Sequence, residues 1–248
     1  VEIRYLISFL SEWMGAVAVI WILSSLPAFK RPQLGFRFPR REGIMALSMF
    51  ALITLFAFLV FRANPPTYLH DQPLPAPTAA LPQAFVIAGL SLIPVVVALL
   101  ARGQPVRSAG WDPARLRIAL QLGVAIALLT IFLRNRVIDV LSRTDGPALI
   151  GLLSALGIGL AEETIFRGYI QPRMAAWLGD WPGLLLSAAM FALWHLMAWL
   201  GRLPVETTLI LLGLTFVQGL VLGWIMRVSG HVLTPALYRA ISIWLSVF

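Results

Sequence analysis

Glu162, Glu163 and Arg167 fall within the run Ala161-Glu162-Glu163-Thr164-Ile165-Phe166-Arg167-Gly168, inside a long apolar segment. An ionisable side chain at the centre of a bilayer helix costs roughly 2.5–3.5 kcal/mol by insertion scales, so three of them would not be turned toward lipid. They must face a protein interior or a wet cavity. On a helix, residues four apart share a face, so Glu163 and Arg167 can pair, while Glu162 is rotated by about 100° and can engage something else. A carboxylate so placed can act as a general base toward water. It can equally neutralise a buried cation and fix helix packing.

A second motif follows at Phe191-Ala192-Leu193-Trp194-His195, where Phe191 and His195 share a helix face. Asp180 and Pro182 read as the cap and first-turn proline of that helix. His195 lies fifteen residues beyond Asp180, and Trp177 fifteen residues beyond Glu162. Each count is about 22 Å of helix. A turn between 177 and 180 at the membrane interface then brings carboxylate and imidazole to one depth. There they could serve as general base and as donor to an oxyanion. Taken alone, His195 reads as a satisfied core histidine.

The elements that must position these groups are membrane helices. Of 248 residues, 59% are hydrophobic and 12% charged, and mean hydropathy is +0.86. Cysteine is absent, which excludes disulfides, thiolate nucleophiles and cysteine–metal sites. The net charge of +8 would suggest nucleic acid in a soluble protein. Here the basic residues fall mostly in loops, so membrane topology explains them and no nucleic-acid partner is expected.

Eight apolar segments approach the length needed to cross ~30 Å of hydrocarbon: 5–29, 43–61, 83–101, 116–133, 147–177, 183–200, 205–226 and 232–248. The expected fold is therefore an all-α integral membrane bundle of about eight transmembrane helices. Residues 1–146 carry the N-terminal helices and 147–248 the motif-bearing helices, packed as one membrane domain. The segment 5–29 is too long for a signal-peptide core and reads as a retained helix. Gly151, Ala155 and Gly159 form a small-residue stripe leading to Glu163, and Gly219 and Gly223 form another; both predict close helix crossings.

Loop charge gives the orientation. Lys30, Arg31, Arg37, Arg40 and Arg41, and then Arg102, Arg107, Arg115 and Arg117, read as cytoplasmic, which puts both termini outside. Arg134, Arg136 and Arg143 run against that rule. The mixture Phe36-Arg37-Phe38-Pro39-Arg40-Arg41 suits the headgroup layer of an anionic leaflet. The proline-rich stretch 64–82 predicts an extended external loop. His70 and Asp71 within it could hold a metal or substrate, though a lone exposed histidine is ordinarily just solvated. The expected setting is a bacterial-type cytoplasmic membrane.

Glu162-Glu163-x-x-x-Arg167 followed by Phe191-x-x-x-His195 resembles the CPBP family, which includes the CAAX-processing endopeptidases and bacteriocin-processing or immunity proteins. The resemblance runs from about residue 147 onward. It implies an eight-helix membrane fold and peptide-bond hydrolysis within the bilayer. Glu162 would activate the water, with Glu163 and His195 in support, Arg167 bracing the carboxylates and Phe191 beside them. The last helix of that family usually carries His-x-x-x-Asn or Asp. In this sequence Arg239 and Ile243 stand at those positions. His231 lies two turns earlier, with Pro235 as its i+4 residue, and could substitute only if the helix shifted.

Arginine is permanently charged and cannot act as an acid or base near neutral pH. Beside Glu162 it would favour a salt bridge, although it could still stabilise an oxyanion. Three readings follow. The chain is an intramembrane endopeptidase acting on a membrane peptide or protein; or it is a catalytically inactive homologue serving as structural subunit of a membrane complex; or it holds a cofactor through His195 or His231. No attachment motif supports the third. Zinc is weakly supported: there is no His-Glu-x-x-His, and Glu162, His195 and His231 would have to converge by packing.

Overall fold

The structure is a computed structural model that describes residues 3–25, 35–63, 77–142 and 146–246. Among these the regular elements are all helical. They are α1 (Ile3–Ser24), α2 (Pro39–Ala63), α3 (Pro77–Ala101), α4 (Leu116–Leu133), a short α5 (Val137–Ser142), α6 (Gly146–Glu163), α7 (Gln171–Leu178), α8 (Asp180–Trp199), α9 (Val205–Ser229) and α10 (Leu233–Trp244). Short 3-10 turns precede α4, and a π-helical stretch, Thr164–Ile170, joins α6 to α7.

Six helical stretches are long and apolar enough to cross a membrane by length and composition, and α1 adds the shorter apolar run Phe9–Leu23. Their lipid-facing sides are rich in exposed leucine, isoleucine and valine. The last apolar segment yields only the twelve-residue α10, about 18 Å long and short of a full span. It packs chiefly on α6 and α4 and also touches α9, so its apolar residues serve the protein interior rather than lipid. The chain is thus an all-α integral membrane protein.

Several sequence expectations shift. Helix α3 begins at Pro77 and contains Pro82 and Pro94, so the end of the proline-rich stretch is helical rather than extended. Pro77 sits in the first turn, where a missing N–H costs nothing, and Pro82 forgoes one backbone bond. The remainder of that stretch, with His70 and Asp71, lies outside the described residues, as do Lys30, Arg31 and Arg143. At the start of α8 the cap is Gly179, with φ of +93°. Asp180 makes no capping bond and instead pairs with Arg227 at 2.9 Å.

Small residues set the helix crossings. A Cβ on Gly159 would lie 2.6 Å from the Ala236 carbonyl oxygen on α10, and one on Gly219 3.1 Å from the backbone of Ala188 on α8. Gly223 faces Leu184 and Gln171. Gly151 is looser, with Trp244 at 3.6 Å, so the stripe tightens toward the charged cluster.

The two ends of the bundle differ in charge. Glu42 at the start of α2 accepts from Arg102 and Gln104 after α3 and from Arg173 on α7. Val232 donates to the Gly110 carbonyl, and Arg115 to that of Ser229. These contacts gather Arg37, Arg40, Arg41, Arg102, Arg107 and Arg115 at one end. Arg102 is therefore not only a loop charge; the Glu42 carboxylate beside it raises its pKa above the ordinary guanidinium range. The opposite end holds Arg62, Arg134, Arg136 and Arg202. There Arg134 pairs with Glu12, and Arg202 donates to the Phe61 carbonyl.

Candidate active site

The site grows out of a break in helical register. Pro172 cannot donate to the carbonyl of Gly168, and its ring crowds that carbonyl. The backbone widens, and the Gln171 N–H bonds to Phe166 five residues back. Ser187 Oγ on α8 also donates to the Phe166 carbonyl, at 3.1 Å, and Thr164 Oγ1 donates to the Leu160 carbonyl at 2.6 Å. A π stretch inside a longer helix is frequently found at functional sites. Here it holds Arg167 and directly follows Glu162 and Glu163. The segment 147–177, longer than one span, is expected as a continuous helix; Pro172 within the apolar run is the sequence sign of the break.

Glu162 on α6, His195 on α8, Gln218 on α9 and Arg239 on α10 meet through one guanidinium. Arg239 Nε donates to Glu162 Oε2 at 3.1 Å, and its Nη2 stands 3.0 Å from the same oxygen. Nη1 donates to Gln218 Oε1 at 2.6 Å, and Nη2 to His195 Nε2 at 3.1 Å. Glu162 is 3% exposed and Arg239 9%, so the pair is shielded from water and poorly screened.

These contacts fix the state of His195. Its Nδ1 lies 3.0 Å from the Phe191 carbonyl, which can only accept, so Nδ1 carries the proton. Its Nε2 faces an arginine, which can only donate, so Nε2 presents its lone pair. His195 is therefore a neutral Nδ1–H imidazole. Its Nε2 is 3.7 Å from Glu162 Oε1, beyond hydrogen-bond reach.

Phe191 organises both cations. Its ring lies 4.3 Å from the Arg167 guanidinium carbon and 5.3 Å from that of Arg239. The same ring meets His195 edge-on at 4.4 Å and Phe166 at 5.2 Å. Arg167, fully buried, pairs with Glu163 at 3.4 Å and donates weakly to the Gly219 carbonyl at 3.4 Å. Both Glu163 oxygens are buried and make no hydrogen bond to another described residue. The formal charges of Glu162, Glu163, Arg167 and Arg239 cancel, which suits burial in an apolar bundle.

His231 is engaged elsewhere. Its Nδ1 accepts from the Leu233 N–H at 3.0 Å, its ring meets Trp111 edge-on at 5.4 Å, and Ser229 Oγ donates to its carbonyl. It acts as a cap for the start of α10, and burial lowers its pKa below the ordinary imidazole value. Ile243, one turn beyond Arg239, packs with Ile158, Ala161 and Leu81. Gln218 is not among the residues the motifs single out; its sequence sign is a lone amide in the apolar α9, next to Gly219. Among the described residues no three His, Asp or Glu side chains are grouped to hold a metal ion.

Residues 144–245 match the family model described as type II CAAX prenyl endopeptidase Rce1-like. Over these residues, which make up less than half of the chain, the protein is similar to that family. The matched segment runs from just before α6 to just past α10, so it contains Glu162, Arg167, Phe191, His195, Gln218 and Arg239. No curated protein and no solved structure matches the chain significantly.

Proposed function

We propose that this protein is an Rce1-like intramembrane endopeptidase homologue whose hydrolytic centre is held shut by Arg239. Hydrolysis by this class of site would need Glu162 to take a proton from an attacking water. The observation that supports closure is the Arg239 guanidinium. It occupies Glu162 Oε2 and the His195 Nε2 lone pair at once. A water between carboxylate and imidazole would have to displace a cation already holding both. The family description names prenylated CAAX proteins as the peptide class. For this chain that gives a membrane-anchored peptide tail, bound or recognised with impaired cleavage. In that role the protein would act as a structural or recognition subunit in a membrane complex. The basic end faces the cytoplasm by the positive-inside rule.

The test is incubation of the purified protein in liposomes with a farnesylated CAAX peptide, with products read by mass spectrometry. The expected result is that wild type and Glu162→Gln release equally little product. Turnover by wild type that is lost in Glu162→Gln would reject closure and make Glu162 the working base.

A further inference from the structure

We infer that the start of α2 forms a binding site for an anionic phospholipid, separate from the charged cluster in the bundle. An open groove of about 520 Å³ lies there, lined by Arg37, Arg40, Arg41, Phe38, Ile44 and Met45. Phe38 and Ile44 are half exposed, at 54% and 47%, and Met45 continues the apolar floor along the helix. The three guanidiniums have no carboxylate partner among the described residues, and Arg37 stacks on Phe38 at 5.2 Å.

The groove is held in shape from within. Glu42, the next residue after Arg41, turns inward to Arg102 and Arg173. The Phe36 ring lies 5.1 Å from the buried Arg173 guanidinium, and Gly43 seats on Trp177. The arginines therefore stand on a pinned helix start. The stretch Pro39–Ala63 is also a candidate membrane span, so its first turns sit where headgroups meet acyl chains. Guanidinium forks suit phosphate oxygens, and the apolar floor suits the first part of an acyl chain. A zwitterionic lipid, whose amine would face the same arginines, fits less well. The chemistry matches a phosphodiester headgroup with a net negative charge.

The experiment is native mass spectrometry of the full chain in detergent, titrated with phosphatidylglycerol or phosphatidylcholine. Wild type should retain phosphatidylglycerol preferentially. Each guanidinium near an anionic headgroup is worth about fivefold, so Arg37→Gln/Arg40→Gln/Arg41→Gln should weaken retention by more than about tenfold. The pair Phe38→Ser/Ile44→Ser keeps every charge, and both side chains are exposed, so the fold should survive. It should also lose most of the bound lipid. Arg107→Gln, at the same end but outside the groove, should bind like wild type. Equal retention of the two lipids would overturn the inference. So would loss in the arginine variant without loss in the Phe38/Ile44 variant, which would mean general surface attraction only. A dimer that forms without lipid and dissolves in the Phe38/Ile44 variant would give the groove to a second copy and overturn it as well.

Discussion

The Glu162–Arg239 pair can be tested by a double-mutant cycle. Arg239→Met keeps an unbranched side chain and removes the cation. It leaves Glu162 buried with His195 Nε2 at 3.7 Å as the nearest basic atom, and it strips Gln218 Oε1 of its donor. Breaking a buried ion pair from one side costs about 3–5 kcal/mol, because the remaining charge is uncompensated. For a domain of this size that corresponds to a fall in Tm of roughly 10 °C. Glu162→Gln should cost less, since its amide oxygen can still accept from Arg239, but it leaves the cluster with an excess positive charge. The double variant Glu162→Gln/Arg239→Met removes both charges and should recover part of the loss. The expected coupling is on the order of 1–3 kcal/mol. The assay is thermal unfolding in detergent, followed by tryptophan fluorescence and by circular dichroism. Additive losses, or an unchanged Tm in Arg239→Met, would refute the reasoning, because the pair would then not be a coupled, desolvated unit.

Gly159→Ala should lower Tm, since its methyl group would press into the Ala236 carbonyl, whereas Gly151→Ala should leave Tm nearly unchanged; equal effects would contradict the crossing geometry. His231→Ala should cost on the order of 1 kcal/mol through loss of the cap on α10. Because burial depresses the His231 pKa, the folded state binds fewer protons than the unfolded chain at mildly acidic pH. Stability from this residue is present above about pH 6.5 and is lost as pH falls below that value. The His231→Ala protein should show a flatter stability profile over that window, and an unchanged slope would count against it.

Much of the fold was legible because membrane helices announce themselves by length and hydropathy. The segments 116–133 and 205–226 differ from the observed helices by a few residues at most. Residues 232–248 read as a span by composition, whereas the described helix there, α10, has twelve residues; composition cannot tell a helix packed in protein from one packed in lipid, and the contacts of α10 with α4 and α6 make that distinction. The charged cluster was legible residue by residue, through desolvation cost and helical spacing. Its geometry was not. The π stretch depends on Pro172 together with the Ser187 bond from another helix. The part played by Gln218 depends on where α9 passes α10. Glu42 illustrates the same limit, since nothing near it in sequence reveals that Arg102 and Arg173 converge on it.

The most direct test of closure by Arg239 is a gain-of-function measurement. Arg239→His/Ile243→Asn supplies an imidazole and an amide where the guanidinium and an apolar side chain now stand. Cleavage of a farnesylated CAAX peptide in liposomes should be compared among wild type, this variant, and this variant carrying Glu162→Gln. The account predicts little product from wild type, clear product from the double variant, and loss of that product when Glu162 is changed. Efficient, Glu162-dependent cleavage by wild type, with no gain in the double variant, would contradict it.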